Sequence, residues 1–297
     1  MIRSILAAVT GDSTDVATFA TALSVARPFG AHIDVLHVRA DAIGAGIAMA
    51  TGAGSGALTA GLIEQLEAEA LQREARAKTG FERFCADNGL TVSSTPPREP
   101  QPQGGALPAV TSSAEFHVET GREADWVTIY GRTADLVIAS RWDDGALAPS
   151  ALEAALLETG RPLLIPGSSA APVADTISRI AIAWKPVQQA ARAVALAMPL
   201  LSRATEVIVA TVEEEGDERD EVDRLTRYLG WHGLNAAVAR MRPGPDGAAA
   251  TLLSGIEGRA DLLVMGGYGH SRLRQWIFGG FTQHVLAGAP LPVLMAH

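Results

Sequence analysis

The chain has 297 residues, a length that suits two domains of about 150 residues each. Apolar residues make up 47% of the sequence, enough for two buried cores, and the formal net charge is −9. This acidic balance argues against a nucleic acid partner, because a polyanion is bound by a basic surface.

The cysteine content and the N-terminal residues predict a reducing compartment. Cys85 is the only cysteine, so a disulfide within the chain is excluded. The start, MIRSILAAVTGD, has a short apolar run that Asp12 interrupts, and it lacks the cleavage site of a signal peptide. No run approaches the roughly 18 apolar residues of a membrane helix. We therefore expect a cytoplasmic protein with no membrane partner.

The first half begins with an apolar strand, Ile2–Val9, that leads into a polar turn. The turn is Thr10-Gly11-Asp12-Ser13, and Asp12 or Ser13 is the expected N-cap of the helix that follows.

A long insertion is predicted next, at about residues 45–105. Ala45–Ala60 is rich in glycine and alanine and is predicted to be a loop. Leu62–Asn88 is strongly helical, with Gly80 as a candidate break, and Pro96–Gly105 has the composition of a flexible connection. The amphipathic pattern of the helix favours a role as a cover for a sheet.

The second half alternates between apolar runs and helical patterns. The predicted strands are Arg179–Trp184, Glu206–Val212, Leu234–Met241, Ala260–Met265 and Pro292–Met295. The predicted helices are Val187–Leu201, Asp217–Leu229, Gly247–Glu257 and Gly280–Leu286. Buried strands separated by helices are typical of a parallel sheet covered on both faces.

Segments of the two halves resemble each other. Ile2–Val9 (IRSILAAV) is echoed by ISRIAIAW at Ile177–Trp184, and ADLVIA at Ala134–Ala139 returns as ADLLVM at Ala260–Met265. Between the halves, Pro166–Thr176 has the composition of a linker. We therefore predict two tandem α/β domains, each a mostly parallel five-stranded sheet flanked by helices. Their predicted bounds are residues 1–166 and 177–297.

The segment after Met265, GGYGHSRLRQWIFGGFT, is the strongest functional signal. It leaves the carboxyl end of a buried strand, where open α/β sheets bind ligands. Gly266 and Gly269 can turn backbone amides toward an anion, and Gly279–Gly280 opens a helix whose N-terminus favours phosphate. His270 and Arg272 are further candidate donors. The chain has neither a Walker P-loop nor a complete G-x-G-x-x-G fingerprint.

The glycine spacing resembles the nucleotide-binding signature of the universal stress protein family, G-x2-G-x9-G-[Ser/Thr]. In this chain the matching glycines are Gly266, Gly269 and Gly279. The sequence ADLLVMGGYGHSRLRQWIFGGFTQHVL, followed by PLPVLMAH, is similar to the C-terminal third of that family. The duplication resembles its tandem members, in which two domains form a pseudo-dimer within one chain. The resemblance implies a Rossmann-like fold of the adenine nucleotide alpha hydrolase type.

The resemblance also implies a ligand and a set of contacts in the second domain. The ligand would be an adenine nucleotide (ATP, ADP or AMP), and the presence of Mg²⁺ beside it stays open. The implied nucleotide-binding residues are Gly266, Gly269, His270, Arg272, Gly279, Gly280, Thr282, Lys185 and Val212. Two positions depart from the family pattern. Gly280 stands where Ser or Thr is usual, and Lys185 stands where ATP-binding members carry Asp.

The corresponding loop of the first half is predicted to have lost the site. Ser140 replaces the first glycine and Asp143 the second, and Asp143–Asp144 adds negative charge that would repel phosphate. We expect the first domain to be structural and not to bind nucleotide.

Three functions follow as hypotheses. The first is a stress-response regulator that binds nucleotide in its second domain, without a defined reaction. The second is a nucleotide-independent interaction or signalling module that has lost the site; here the protein partners are unknown and a homodimer is open. The third is a weak ATPase, for which the sequence offers no catalytic residues and no metal cluster.

Overall fold

The computed structural model describes residues 1–41, 44, 56–96, 111–140, 150–168, 177–212, 219–267 and 280–297. The first half contains β1 (Ser4–Val9), α1 (Asp15–Phe29), β2 (His32–Arg39), α2 (Gly56–Asn88), β3 (Thr91–Val92), β4 (Ser113–Thr120), α3 (Glu123–Gly131), β5 (Leu136–Ala139), α4 (Ser150–Leu157) and β6 (Leu163–Ile165). The second half contains β7 (Arg179–Ala183), α5 (Gln188–Leu201), β8 (Glu206–Val212), α6 (Arg219–Trp231), β9 (Ala236–Met241), α7 (Gly247–Ile256), β10 (Leu262–Gly266), α8 (Gly280–Gly288) and β11 (Val293–Ala296).

All of these strands lie in one sheet, in the order β3-β4-β2-β1-β5-β6-β11-β10-β7-β8-β9. Neighbouring strands are parallel within each half, and the α/β fold class is confirmed. The five-stranded sheets expected for the two halves are joined edge to edge, and the first half carries β3 as an additional short strand. The predicted domain boundaries at residues 166 and 177 stay a prediction, and most of the linker lies outside the described residues.

An antiparallel pairing of the closing strands joins the two halves. Leu163, Leu164 and Ile165 of β6 lie opposite Met295, Leu294 and Val293 of β11. Each of these side chains is at most 1% exposed. The pairing uses the free backbone edges of both β6 and β11. A second copy of the chain therefore cannot pair with these strands unless the seam between β6 and β11 opens.

The sheet is covered on both faces, and the alternation of side chains along β1 shows how. Ile5, Ala7 and Val9 belong to one hydrophobic cluster, whereas Leu6 and Ala8 belong to another on the opposite face. Each cluster runs through both halves of the chain. The central strands of the sheet therefore need apolar residues at nearly every position, which is the pattern that identified them in the sequence.

Two local predictions for the first half are wrong. Helix α2 begins at Gly56 and continues through Gly80, where a side chain would lie 3.5 Å from the ring of Phe19. The N-cap of α1 is Thr14, so neither Asp12 nor Ser13 holds that position. The carboxylate of Asp15 instead accepts the hydrogen bonds of the turn, as described below. Among the described helices, none has the length and apolar content that crossing a membrane requires.

Candidate functional site

The candidate site lies where the strand order of the second half reverses. Strand β7 pairs with β8 on one side and with β10 on the other. The chain moves outward from β7 to β8 and β9, and then returns to β10 and β11. In open α/β sheets, ligands bind in the crevice at the carboxyl ends of the strands at such a switch point.

Gly266 is the last residue of β10 and stands at this crevice. A Cβ atom at Gly266 would lie 2.6 Å from the backbone nitrogen of Ala190 and 3.0 Å from Cβ of Gln189. These two residues belong to the first turn of α5. The absence of a side chain at Gly266 thus lets the strand end approach the N-terminus of a helix, which is the part of a helix that favours an anion.

Gly267 fixes the start of the loop to both halves of the chain. Its N–H donates to the carbonyl oxygen of Ala296 over 2.8 Å. A Cβ atom at Gly267 would lie 3.1 Å from Cδ2 of Leu156, which belongs to α4 of the first half. The first residues of the glycine segment therefore pack beside the antiparallel pair formed by β6 and β11.

Helix α8 supplies two further predicted site residues. Gly280 is the first residue of the helix and is exposed, with open space around the position of a Cβ atom. Thr282 is 7% exposed in the same turn. This turn contains no acidic residue, so no carboxylate within it competes with an anion for the helix N-terminus.

Lys185 and Val212 lie at the carboxyl ends of β7 and β8. The register pairs Ala183 with Ala210, which brings both predicted residues to the same edge of the sheet. Lys185 is exposed and Val212 is half-buried. The indole of Trp184, beside Lys185, was not predicted as a site residue. Its Nε1 is buried and has no hydrogen-bond partner among the described residues.

The remaining predicted contacts fall outside the described residues. They are Gly269, His270, Arg272 and Gly279. The described part of the structure brings Gly266, Lys185 and Val212 to one edge of the sheet, and the assignment of the whole set to a nucleotide stays a prediction.

The equivalent turn of the first half is filled by its own side chains. Asp15, 5% exposed, accepts hydrogen bonds from the N–H groups of Thr10 at 2.9 Å and Gly11 at 2.8 Å. Ser140 follows β5 in the place of Gly266, and its Oγ lies 3.2 Å from Oγ1 of Thr18 on α1. The carboxylate of Asp15 and the hydroxyl groups of Ser140 and Thr18 thus lie at the carboxyl ends of β1 and β5.

Helix α2 also closes over this turn. Gly11 has φ +84°, and a Cβ atom there would overlap the backbone of Arg73. Nε of Arg76 donates to the carbonyl oxygen of Gly11 over 2.8 Å. The insertion is therefore packed directly on this turn. Asp143 and Asp144 lie outside the described residues.

A cavity of about 370 Å³ remains beneath α2, between the carboxyl ends of β1 and β2. Its lining includes the buried side chain of His37, whose Nδ1 lies 3.1 Å from the carbonyl oxygen of Val9. Because that oxygen only accepts, Nδ1 carries a hydrogen and donates it. Nε2 has no partner among the described residues. Glu123 also lines the cavity; burial raises its pKa, and the nearby charge of Asp15 raises it further.

Comparison with known proteins supports the recognition made from the sequence. Residues 244–297 match the model of the universal stress protein family. A universal stress protein from Archaeoglobus fulgidus DSM 4304 has a similar structure, with a TM-score of 0.65 and 16% sequence identity. The alignment covers 99% of this chain and 95% of that protein.

A protein of unknown function from Pseudomonas aeruginosa PAO1 gives a TM-score of 0.54 at 14% identity, with 99% of this chain and 92% of that protein covered. At these identities the likeness concerns the fold. A comparison with curated protein sequences returns no match. The sequence match at residues 244–297 agrees with the recognised family, and the chain as a whole shares the fold of a solved universal stress protein.

Proposed function

We propose that the protein is a stress-response regulator that binds one adenine nucleotide in its second half, with its phosphates at the glycine segment that follows β10. The observation that carries the proposal is the position of Gly266. Gly266 ends a buried parallel strand at the switch point. A Cβ atom added there would lie only 2.6 Å from the backbone nitrogen of Ala190, in the first turn of α5. Phosphate binding at such a helix terminus needs no side chain.

The charges and donors of the described residues agree with an anionic ligand. The first turns of α5 and α8 contain no acidic residue. Lys185 brings a cation to the end of β7, and Nε1 of Trp184 is a buried donor beside it. The lysine replaces the aspartate that the family uses near adenine or ribose, so this chain is expected to hold the phosphates more strongly than the base.

Nucleotide binding by the first half is not part of the proposal. The N–H groups of Thr10 and Gly11 already donate to Asp15, and α2 lies on the turn. A phosphate there would meet the carboxylates of Asp15 and Glu123, and burial strengthens that repulsion. One nucleotide per chain is therefore the expected stoichiometry.

The test is isothermal titration calorimetry of the full chain with ATP and with AMP. We expect one site per chain, tighter binding of ATP, and loss of binding in Gly269→Glu, which adds a carboxylate to the glycine segment. Lys185→Ala is expected to weaken ATP binding roughly tenfold, because a charge-assisted hydrogen bond is lost. Lys78→Ala is the matched control, since Lys78 on α2 is the only other lysine. Wild-type protein that shows neither heat nor a thermal shift at millimolar ATP would overturn the proposal.

A further inference from the structure

A cluster of metal-binding side chains lies on β2 and β4 of the first half, away from the nucleotide site. The register places His32 beside Ser113, Asp34 beside Glu115 and Leu36 beside His117. Alternate residues of a strand share one face, so the side chains of both strands project from the same face of the sheet. The cluster lies near the amino ends of these strands, whereas the proposed nucleotide site is at carboxyl ends in the other half.

The ligand atoms of this cluster are close together. The donor atoms of His32, Asp34 and Glu115 all lie within 4.8 Å of one another. Nε2 of His32 is 3.4 Å from Oδ1 of Asp34. Tetrahedral zinc with bonds of about 2.0–2.2 Å places neighbouring ligand atoms about 3.3 Å apart, so small side-chain adjustments are enough to enclose an ion.

Further hydrogen bonds hold these side chains in place. Nδ1 of His32 lies 2.8 Å from Oγ of Ser113, which leaves Nε2 directed to the carboxylate. Nε2 of His117 is 3.0 Å from Oδ1 of Asp34 and 3.7 Å from Oε2 of Glu115. Metal-binding histidines and carboxylates are generally oriented by partners of this kind.

We propose that His32, Asp34 and Glu115 bind one divalent zinc ion, oriented by Ser113 and His117. The two carboxylates balance the charge of the ion, and imidazole is a preferred zinc ligand. The side chains of the three ligands are 26–29% exposed, so an ion can reach them from solvent. Three protein ligands leave the fourth tetrahedral position to water.

The ion would fasten β4 to β2. Among the described residues, β4 has β3 as its outer neighbour only at Ser113 and Ala114. From Glu115 onward it is an edge strand of the described sheet, held from one side. A ligand that binds the folded chain and not the unfolded one raises the melting temperature, here by roughly 5 °C at a hundredfold excess over Kd.

The experiment is equilibrium dialysis of the full chain with Zn²⁺ in the absence of nucleotide, together with the visible absorption of the Co²⁺-substituted protein. We expect one Zn²⁺ per chain and a tetrahedral Co²⁺ spectrum. His32→Gln and Glu115→Gln should each weaken binding by at least about a hundredfold, because a direct ligand is lost. Ser113→Ala and His117→Gln should weaken it roughly 10–100-fold, because only an orienting partner is lost.

Two control variants separate this site from scattered surface groups. Glu119→Gln changes a carboxylate further along β4 that accepts from the hydroxyl of Tyr130 at 2.8 Å, and His232→Gln changes an exposed histidine at the end of α6. Both should bind Zn²⁺ within twofold of wild type. Equal affinity in wild type and His32→Gln, or an octahedral Co²⁺ spectrum, would overturn the proposal. Thermal unfolding in EDTA verifies that each variant is folded. If Glu115→Gln does not fold, the affinity of His32→Gln for Zn²⁺ tests the proposal.

Discussion

The guanidinium of Arg179 donates two hydrogen bonds to Oδ1 of Asp261, from Nη2 over 2.7 Å and from Nε over 3.2 Å. The other carboxylate oxygen accepts the N–H groups of Arg179 at 2.8 Å and Ser178 at 3.2 Å. One aspartate thus fixes both the backbone and the side chain at the start of β7. It belongs to the ADL segment that recurs in the two halves.

The first half repeats the backbone part of this arrangement. Oδ2 of Asp135 accepts the N–H groups of Arg3 at 2.7 Å and Ser4 at 3.1 Å. In the second half the order of Arg and Ser is reversed, which places the guanidinium of Arg179 on Asp261. The recurrence of ADL therefore has a structural cause, because its aspartate anchors the first strand of its own half.

Asp261→Asn is expected to lower the free energy of unfolding by about 2 kcal/mol at pH 7, since charge-assisted hydrogen bonds are lost. Partial burial raises the pKa of Asp261, but the hydrogen bonds from Arg179 and Ser178 lower it overall. A carboxyl with a lowered folded pKa stabilises fully above its unfolded value of about 3.9 and loses that effect as the pH falls through the folded pKa. The difference between variant and wild type should therefore shrink below about pH 4 in urea titrations.

Asp135→Asn is the matched control for that change. Asp135 holds the same position in the repeat, but its carboxylate accepts only backbone N–H groups and no guanidinium. Its cost should be smaller than that of Asp261→Asn. An equal loss in both variants would contradict the role assigned to the guanidinium.

The seam between β6 and β11 predicts that the two halves unfold together. Leu164 and Leu294 lie opposite each other, and each is at most 1% exposed. Wild-type protein should give one transition in guanidinium chloride. Leu164→Asp places a charge in the seam and should separate the transition into two, because a buried unpaired charge is costly. Leu157→Asp, at a position that is 45% exposed, should keep the single transition; two transitions in that control as well would remove the support for the seam.

The second half could be predicted closely because most of its strands are rich in apolar residues and are separated by clear helical patterns. Glu206–Val212 coincides with β8, and the other predicted strands and helices differ from the observed ones by one or two residues at most ends. In the first half, β4 has the sequence SAEFHVET, in which Ser113, Glu115 and His117 alternate with apolar residues, so it could not be located by an apolar run. The seam joins residues more than a hundred positions apart, which no local pattern encodes.

The candidate site was predictable to the extent that it depends on motif spacing. The glycine spacing and the strand before it identified Gly266, but its contact with Ala190 depends on how α5 packs beside β10. The role of Asp15 was missed for the same reason. Sequence preference favoured Asp12 or Ser13 as a cap, whereas the turn directs the N–H groups of Thr10 and Gly11 to a carboxylate within the helix.

Glu123→Gln is expected to stabilise the protein at neutral pH. Burial and the nearby Asp15 raise the pKa of Glu123. A group with a raised folded pKa stabilises fully below its unfolded value, about 4.3, and this contribution is lost as the pH rises through the folded pKa. The variant should therefore gain about 1 kcal/mol at pH 7 and nothing at pH 4. Asp125→Asn, an exposed carboxylate in the same first turn of α3, should instead lose up to about 0.5 kcal/mol. A similar loss in Glu123→Gln would refute this assignment.

Gly280→Ser is expected to strengthen ATP binding, because it restores the hydroxyl that the family signature carries at the start of this helix. The position accepts a side chain: Gly280 has open space around a Cβ atom and its φ lies outside the left-handed region. A hydroxyl donating to a charged phosphate contributes about 1.5 kcal/mol, or roughly tenfold in Kd. Gly280→Ala adds the same Cβ without the donor, so its Kd should stay within twofold of wild type. Calorimetry of the three proteins with ATP measures the difference. Equal Kd values for the serine and alanine variants would mean that no phosphate lies at the N-terminus of α8. Phosphate contacts in the glycine segment would then be limited to Gly266 and Gly269.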